Sequence, residues 1–285
     1  MSPQSRTLDC AGRTLCLDQP LIMGVLNVTP DSFSDGGAFI HAEDALMQAH
    51  RLAAAGADII DIGGESTRPG SGAVSVDQEL ERTIPVIERV RNELLLPISI
   101  DTSKPEVMLA AATAGAGMIN DVCALRHPGA LEAAASTGLP VCLMHMRGEP
   151  GSMQDDPRYD DAVPEVEAFL LERVTACREA GIPGEQILID PGFGFGKKLE
   201  HNLALLRGIS RLAAHGYPLI AGLSRKSMLG ELTGRAVDER MSASVTAAVL
   251  AVQAGAAIVR VHDVAETRDA LNILQAVYPQ GLPQG

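Results

Sequence analysis

The sequence is poor in aromatic residues, at 3%, and contains no tryptophan. Its core must therefore be built from aliphatic and small side chains, and 28 glycines suit helices laid close on strands. No apolar run reads as a membrane span. The longest, Val245 to Val261, is interrupted by Gln253 and Gly255 and reads as a helix followed by a strand. The N-terminal MSPQSRTLDC lacks an apolar centre, which excludes a signal peptide. Cysteine is scarce and odd in number, with five residues (Cys10, Cys16, Cys123, Cys142, Cys177) and no C-x-x-C pair. That excludes a cysteine-rich zinc site and a disulfide framework. The thiols fit a reducing compartment, the cytoplasm. Cys10 and Cys16 lie within reach of each other across a hairpin, but they too are read as thiols. Positive charge is short: 23 Lys and Arg face 36 Asp and Glu, a net charge of −13. With no basic stripe, nucleic acid is not an expected partner, because phosphate neutralisation dominates that affinity. An anionic substrate must instead be met by a few cations gathered in one place.

What is present is globular composition, 46% hydrophobic and 21% charged over 285 residues, enough for one barrel or two ordinary domains. Arg6 to Gln19 reads as a short hairpin. Eight strand-like runs follow: Leu21–Leu26, Asp58–Ile62, Pro97–Ile100, Met118–Ile119, Pro140–Met144, Ile187–Ile189, Leu219–Leu223 and Ala257–Val261. Helical patterns alternate with them: Ala42–Ala55, Val76–Leu94, Pro105–Thr113, Gly129–Ser136, Asp160–Ala180, Leu199–His215, Asp238–Gln253 and Val264–Val277. Several helical patterns end in a glycine just before the next strand, as at Gly56, Gly115 and Gly138. Eight strand–helix units with short connections predict an α/β fold, a closed (β/α)8 TIM barrel of parallel strands. An open doubly wound sheet is the rival. The count of eight and the absence of a glycine fingerprint after the first strand argue against it. A single domain over 1–285 is expected, with the hairpin at 1–20 and the barrel at 21–277.

In such a barrel the active site lies where the strands end. In chain order those ends carry Asn27, Asp61, Asp101 and Thr102, Asn120 and Asp121, His145, Asp190, Ser224-Arg225-Lys226, and Arg260 with His262. Asp101, Asn120 and Asp190 suit a flat heterocycle with amide and amino edges. Arg68, Lys226, Arg260 and His262 are the cations able to gather round a phosphate. Asn27 and Asp35 offer hard oxygens of the kind that hold Mg²⁺ together with phosphate oxygens. The long glycine-containing segments 28–40 and 63–73 read as lids over the site. His145 shows no partner and reads as a supporting residue. Lys226 could serve a Schiff base, but its Ser-Arg-Lys-Ser setting speaks against an aldolase. The Gly192, Gly194 and Gly196 spacing is neither a dinucleotide nor a P-loop motif.

Two long motifs, GVLNVTPDSFSDGG from Gly24 and DIGGESTRPG from Asp61, resemble the signatures of the dihydropteroate synthase family. SIDT from Ser99, INDV from Ile119, DPGFGFGK from Asp190, SRKS from Ser224 and RVHDV from Arg260 match in the same order. Lys198 departs from the threonine common there. The resemblance implies a TIM barrel that joins 4-aminobenzoate to a dihydropterin carried as its methyl diphosphate, releasing diphosphate. It implies that Asp101, Asn120, Asp190 and Lys226 hold the pterin, and that Thr67, Arg68, Arg260 and His262 hold the diphosphate. Phe33, Pro69, Phe195 and Ser227 shape the aminobenzoate pocket, where sulfonamides act. Asn27, with Asp35, ligates Mg²⁺, and the protein is a homodimer. Asp101, Lys226, Arg260 and His262 are the expected catalytic group. A corrinoid methyltransferase would lack the two long segments and the diphosphate cations; a non-catalytic pterin-binding paralogue would have lost Asn27, Thr67, Arg68 or His262. All of these are present. On this reading, Arg260→Ala weakens diphosphate binding much more than binding of a diphosphate-free pterin.

Overall fold

The computed structural model describes residues 6–29, 38–66, 74–148, 153–154 and 156–279. The chain opens with the expected hairpin, β1 (Thr7–Cys10) and β2 (Arg13–Cys16). Then follow β3 (Leu21–Asn27), α1 (Ala38–Ala54), β4 (Ile59–Gly63), α2 (Val76–Glu93), β5 (Ile98–Asp101), α3 (Pro105–Ala114), β6 (Met118–Asp121), α4 (Ala130–Thr137) and β7 (Val141–Met144). After these come α5 (Ala162–Glu179), β8 (Ile187–Asp190), α6 (Leu199–Arg207), α7 (Ile209–Ala213), β9 (Ile220–Ala221), α8 (Ser227–Thr233), α9 (Met241–Gln253), β10 (Ile258–Val261) and α10 (Val264–Val277). Local chemistry explains several of the ends. Ser75 and Gln78 form a reciprocal capping box at the start of α2, and Pro105 occupies the first turn of α3, where its missing N–H costs nothing.

Eight parallel strands pair in the order β8-β7-β6-β5-β4-β3-β10-β9, and a parallel bridge between Ile189 and Leu219 joins the two ends. The sheet thus closes into the (β/α)8 barrel that the sequence rhythm implies. Four expected elements differ. The helix expected from Ala42 begins at Ala38, inside the segment 28–40 read as a lid. The last-but-one strand pairs only over Ile220–Ala221, because the chain then turns outward through Lys226 N donating to the Leu223 carbonyl and a left-handed Arg225. The helix expected over Leu199–His215 breaks at Gly208, where any side chain would press on Val163 of α5. The short α8 was not expected, and the helix read as Asp238–Gln253 starts at Met241 after a single turn at Val237–Glu239. All five cysteines are thiols. Cys10 opposes Arg13 and Cys16 opposes Thr7, so the two cysteines stand at opposite ends of the hairpin and cannot bridge.

The register decides what faces the barrel axis. Inward residues alternate along each strand. Near the strand starts they are apolar: Met23, Ile59, Met118, Cys142, Leu188, Ile220 and Ile258 pack with Leu8, Cys10 and Leu15 of the hairpin, which plugs that end. The same parity carried upward gives Asn27, Asp61, Asp101, Asn120, Asp190 and Arg260. The intervening positions, such as Ile22, Ile60, Ile100, Leu143 and Val259, join the larger cluster beneath the helices. Polar chemistry is confined to one end of the barrel.

Candidate active site

At that end lies a cavity of about 590 Å³, lined by Asn27, Asp101, Asn120, Asp190, Phe195, Lys226, Ser227, Arg260 and His262 among others. The nine expected site residues that fall within the described chain are all brought to it. Thr67, Arg68, Phe33, Pro69 and Asp35 lie outside the described residues.

The floor is an ion-pair network that sequence reasoning did not assemble. Arg260 Nε donates to Asp61 Oδ2 at 2.6 Å and Nη2 donates to Asp101 Oδ2 at 2.7 Å. Asp61 is fully buried, and its other oxygen has no hydrogen-bond partner among the described residues. Asn120 Nδ2 stands 3.4 Å from Asp61 Oδ2. Burial pushes the Asp101 carboxyl up to about 7; Arg260 pulls it down, and Asp61 pushes it up again. Burial pulls the guanidinium of Arg260 down, yet Asp61 and Asp101 outweigh it and hold the cation firmly protonated. Arg260 is thus shared between two carboxylates rather than standing free with the other cations.

The wall opposite is the turn after β8. Asp190 is 5% exposed, and its Oδ1 accepts from Gly192 N at 2.7 Å. Burial raises its pKa, while the Gly192 N–H and the cations Lys226 and Arg260 offset this. Lys226 Nζ sits 4.0 Å from the centre of the Phe195 ring, a cation–π contact. Burial, reinforced by Arg260, brings the Lys226 ammonium down to about 8, against the pull of Asp190. Ser227 follows at the start of α8. The tight path of this turn needs glycine: Gly192 has φ +68, and a methyl group there would overlap the His145 carbonyl oxygen. Gly192→Ala is therefore expected to cost about 3 kcal/mol or more of stability, read as a lowered denaturant midpoint; a midpoint shift near zero would contradict this packing.

His262 accepts or donates at Nδ1 to Ser224 Oγ, 3.0 Å away, and Ser224 Oγ also accepts from His262 N at 3.2 Å. Burial, then Arg260 and Arg225, push the imidazole down to about 4, so the free site holds it neutral. Asn27 ends β3, half-buried. Its Oδ1 and Asp101 Oδ2 flank the same small space above Gly63, 3.8 Å and 3.7 Å from where a methyl group there would stand. Asp101 Oδ2 is already held by Arg260, so Asn27 Oδ1 is the hard oxygen here that suits a cation taking its remaining ligands from phosphate and water. Among the described residues no cluster of three His, Cys, Asp or Glu side chains could hold a metal alone. His145 is buried beside Phe169 and Lys197, as a supporting residue should be.

Sequence reasoning missed the roles of Asp61 and Lys197. The inward parity of Asp61 was available as a signal; Lys197 closes the DPGFGFGK motif, but nothing in the sequence showed that the turn folds over it.

A family model described as pterin binding enzyme matches residues 23–262. The dihydropteroate synthase of Escherichia coli is 52% identical over 265 residues, covering 93% of this chain and 94% of its own. The Xanthomonas albilineans dihydropteroate synthase solved with 4-aminobenzoic acid is 57% identical, with a TM-score of 0.92 over 98% of this chain and 100% of its own. The same enzyme in complex with 7,8-dihydropteroate gives 55% and 0.88 over 97% and 100%. The fold and the polar ring at the strand ends define a barrel enzyme of the pterin-binding class. Within that class the chain belongs to the dihydropteroate synthase family, whose members are transferases. The motifs of segments 28–40 and 63–73, which the methyltransferase reading would lack, fall within the matched residues 23–262.

Proposed function

We propose that the chain condenses 4-aminobenzoate with (7,8-dihydropterin-6-yl)methyl diphosphate, giving 7,8-dihydropteroate and diphosphate. The observation that carries this is one cavity with buried acceptors on one side and shared cations beside them. Asp101, Asn120 and Asp190 accept from and pair with the amino and amide edges of the pterin. Lys226 backs the ring, and Phe195 with Ser227 shapes the aminobenzoate side, joined by Phe33 and Pro69. Arg260 and His262, with Thr67 and Arg68, receive the diphosphate. Asn27, helped by Asp35, would hold Mg²⁺, which when bound offsets negative charge on the leaving diphosphate.

The C–O bond to diphosphate breaks first, and the positive charge left on the methylene spreads into the pterin ring. Asp101, paired with Arg260 and ionised in part at neutral pH, faces that charge. The aromatic amine, neutral at working pH, forms the C–N bond to that methylene and then sheds one proton to water; it needs no strong base, so catalysis is mainly positioning and electrostatics. Diphosphate release from the substrate with 4-aminobenzoate and Mg²⁺ tests this. Release should depend on the amine and stop on adding EDTA; release indifferent to aminobenzoate would sink the synthase reading. Sulfonamides are expected to compete with aminobenzoate.

His262 gives a pH prediction. A bound diphosphate adds negative charge beside an imidazole held at about 4, so the bound-state pKa rises. Binding then takes up protons, and affinity strengthens as pH falls from about 8 toward 6. Calorimetry in two buffers of different ionisation enthalpy should show this uptake near pH 6.5, and His262→Gln should reduce it. Equal uptake in both proteins would remove His262 from the diphosphate site.

No helix among the described residues is long and apolar enough to cross a membrane. We place the protein in the cytoplasm as a homodimer. The exposed Leu232, Met241, Leu250, Ile273 and Val277 of α8, α9 and α10 supply an apolar surface for pairing.

A further inference from the structure

The turn after β8 carries an acceptor at one end, Asp190, and an aromatic ring in the middle, Phe195. It is gripped from behind by a lysine that nothing in the proposed chemistry uses. Lys197 is 3% exposed. Its Nζ stands 2.8 Å from the Gly192 carbonyl oxygen, 3.0 Å from that of Phe195, 2.9 Å from His145 Nδ1 and 3.3 Å from the His145 carbonyl oxygen. All four are neutral acceptors. An ammonium has three donors and no lone pair, which matches this surround, whereas a neutral amine would turn its own lone pair toward an acceptor. Burial, with Lys226 and Arg147, pulls the Lys197 pKa well below its usual value and Asp190 offsets this only in part; the four acceptors around Nζ are what favour the ammonium. Burial also keeps His145 neutral, at about 2, and the Lys197 donor 2.9 Å from its Nδ1 calls for the tautomer with the proton on Nε2.

The front of the same turn presses on Lys226. A methyl group on Gly194 would reach 3.0 Å from Lys226 Cδ, and the Phe195 ring caps the Lys226 ammonium. Asn202 Oδ1 adds one hold from the side, accepting from Gly194 N at 2.8 Å. The turn is therefore clamped between two lysines, and only the rear one binds its carbonyls.

We propose that Lys197 is a positioning residue: by fixing the Gly192 and Phe195 carbonyls it places the Phe195 ring on the aminobenzoate side of the cavity. This rests on the assignment of Phe195 to that side. A lysine that merely glued the fold would, when removed, lower stability and affect both substrates alike. A positioning residue acts on one substrate.

The test is Lys197→Met, which keeps the stem and removes the donors. KM for 4-aminobenzoate is expected to rise about tenfold, while KM for the pterin diphosphate stays within about threefold. Equal changes in both, or none, overturn the proposal. If the variant does not fold, nitrogen NMR of the unsubstituted protein decides. The expected signals are a slowly exchanging Lys197 ammonium that shifts on adding 4-aminobenzoate, and His145 protonated on Nε2. A neutral Lys197 amine, His145 protonated on Nδ1, or no shift with aminobenzoate overturns it. Absent turnover by the unsubstituted protein would count against the function itself, and the NMR result would still judge Lys197.

Discussion

Arg260→Ala is expected to lower kcat/KM by about a thousandfold. The side chain is only 22% exposed and lies between Asp61, fully buried, and Asp101, 10% exposed. Truncation leaves two carboxylates facing each other across the barrel floor with no cation between them. Asp101, already near 7, moves higher once Arg260 no longer pulls it down. At neutral pH it then carries a proton and is no longer a charged acceptor. The loss therefore has two parts. The diphosphate loses its guanidinium at every pH. The pterin loses Asp101 only while that group is protonated, so this part should recover as pH rises. Calorimetry with a diphosphate-bearing and a diphosphate-free pterin, at pH 7 and 9 and always against the unsubstituted protein, separates the two. From pH 7 to pH 9 the deficit for the diphosphate-free ligand should shrink, while the extra deficit of the diphosphate-bearing one should remain. Equal losses at pH 9 would reject the diphosphate role. Read from sequence, Arg260 served the diphosphate alone; its ion pair with Asp101 adds the pterin side.

That ion pair shows where legibility ends. The strands were readable to within a residue or two because β-branched runs flanked by glycine and polar ends leave little choice. Eight of them in alternation with helices then forced the barrel. The inward set was readable too, since strand parity puts Asn27, Asp101 and Asp190 on the same side as Arg260. What parity does not give is pairing. Asp61 and Arg260 are 199 residues apart, and their contact depends on how the barrel closes. Lys197 is similar: a lysine after a glycine-rich turn looks like a surface residue until the turn folds over it. The helix α8 was hidden for a different reason. It has seven residues and no side-chain cap, so its sequence lacks the start signal that marks longer helices. The break at Gly208 came from outside the segment, from the approach of Val163.

Asp190→Asn should raise the dissociation constant of a diphosphate-free pterin by about a hundredfold or more, with the fold intact. The two oxygens of Asp190 have different tasks. Oδ1 accepts from Gly192 N at 2.7 Å, and Oδ2 faces the cavity, 3.9 Å from where a methyl group on Gly222 would stand. In asparagine the amide must keep its oxygen on Gly192, because turning its NH2 there would set donor against donor. The NH2 is then forced into the cavity, where the pterin also presents donors. Binding loses a charged acceptor and gains a clash of like dipoles. Stability should move the other way. Burial holds the Asp190 pKa above its unfolded value, so at pH 7 the ionised carboxylate costs folding energy that is relieved as pH falls through the raised pKa. A neutral amide of the same size removes that cost. Tm at pH 7 should hold or rise while pterin binding collapses, and the Tm difference between the two proteins should shrink toward acid pH. Pterin affinity within about threefold of the unsubstituted protein would show that Asp190 is not the acceptor on which the ring is held.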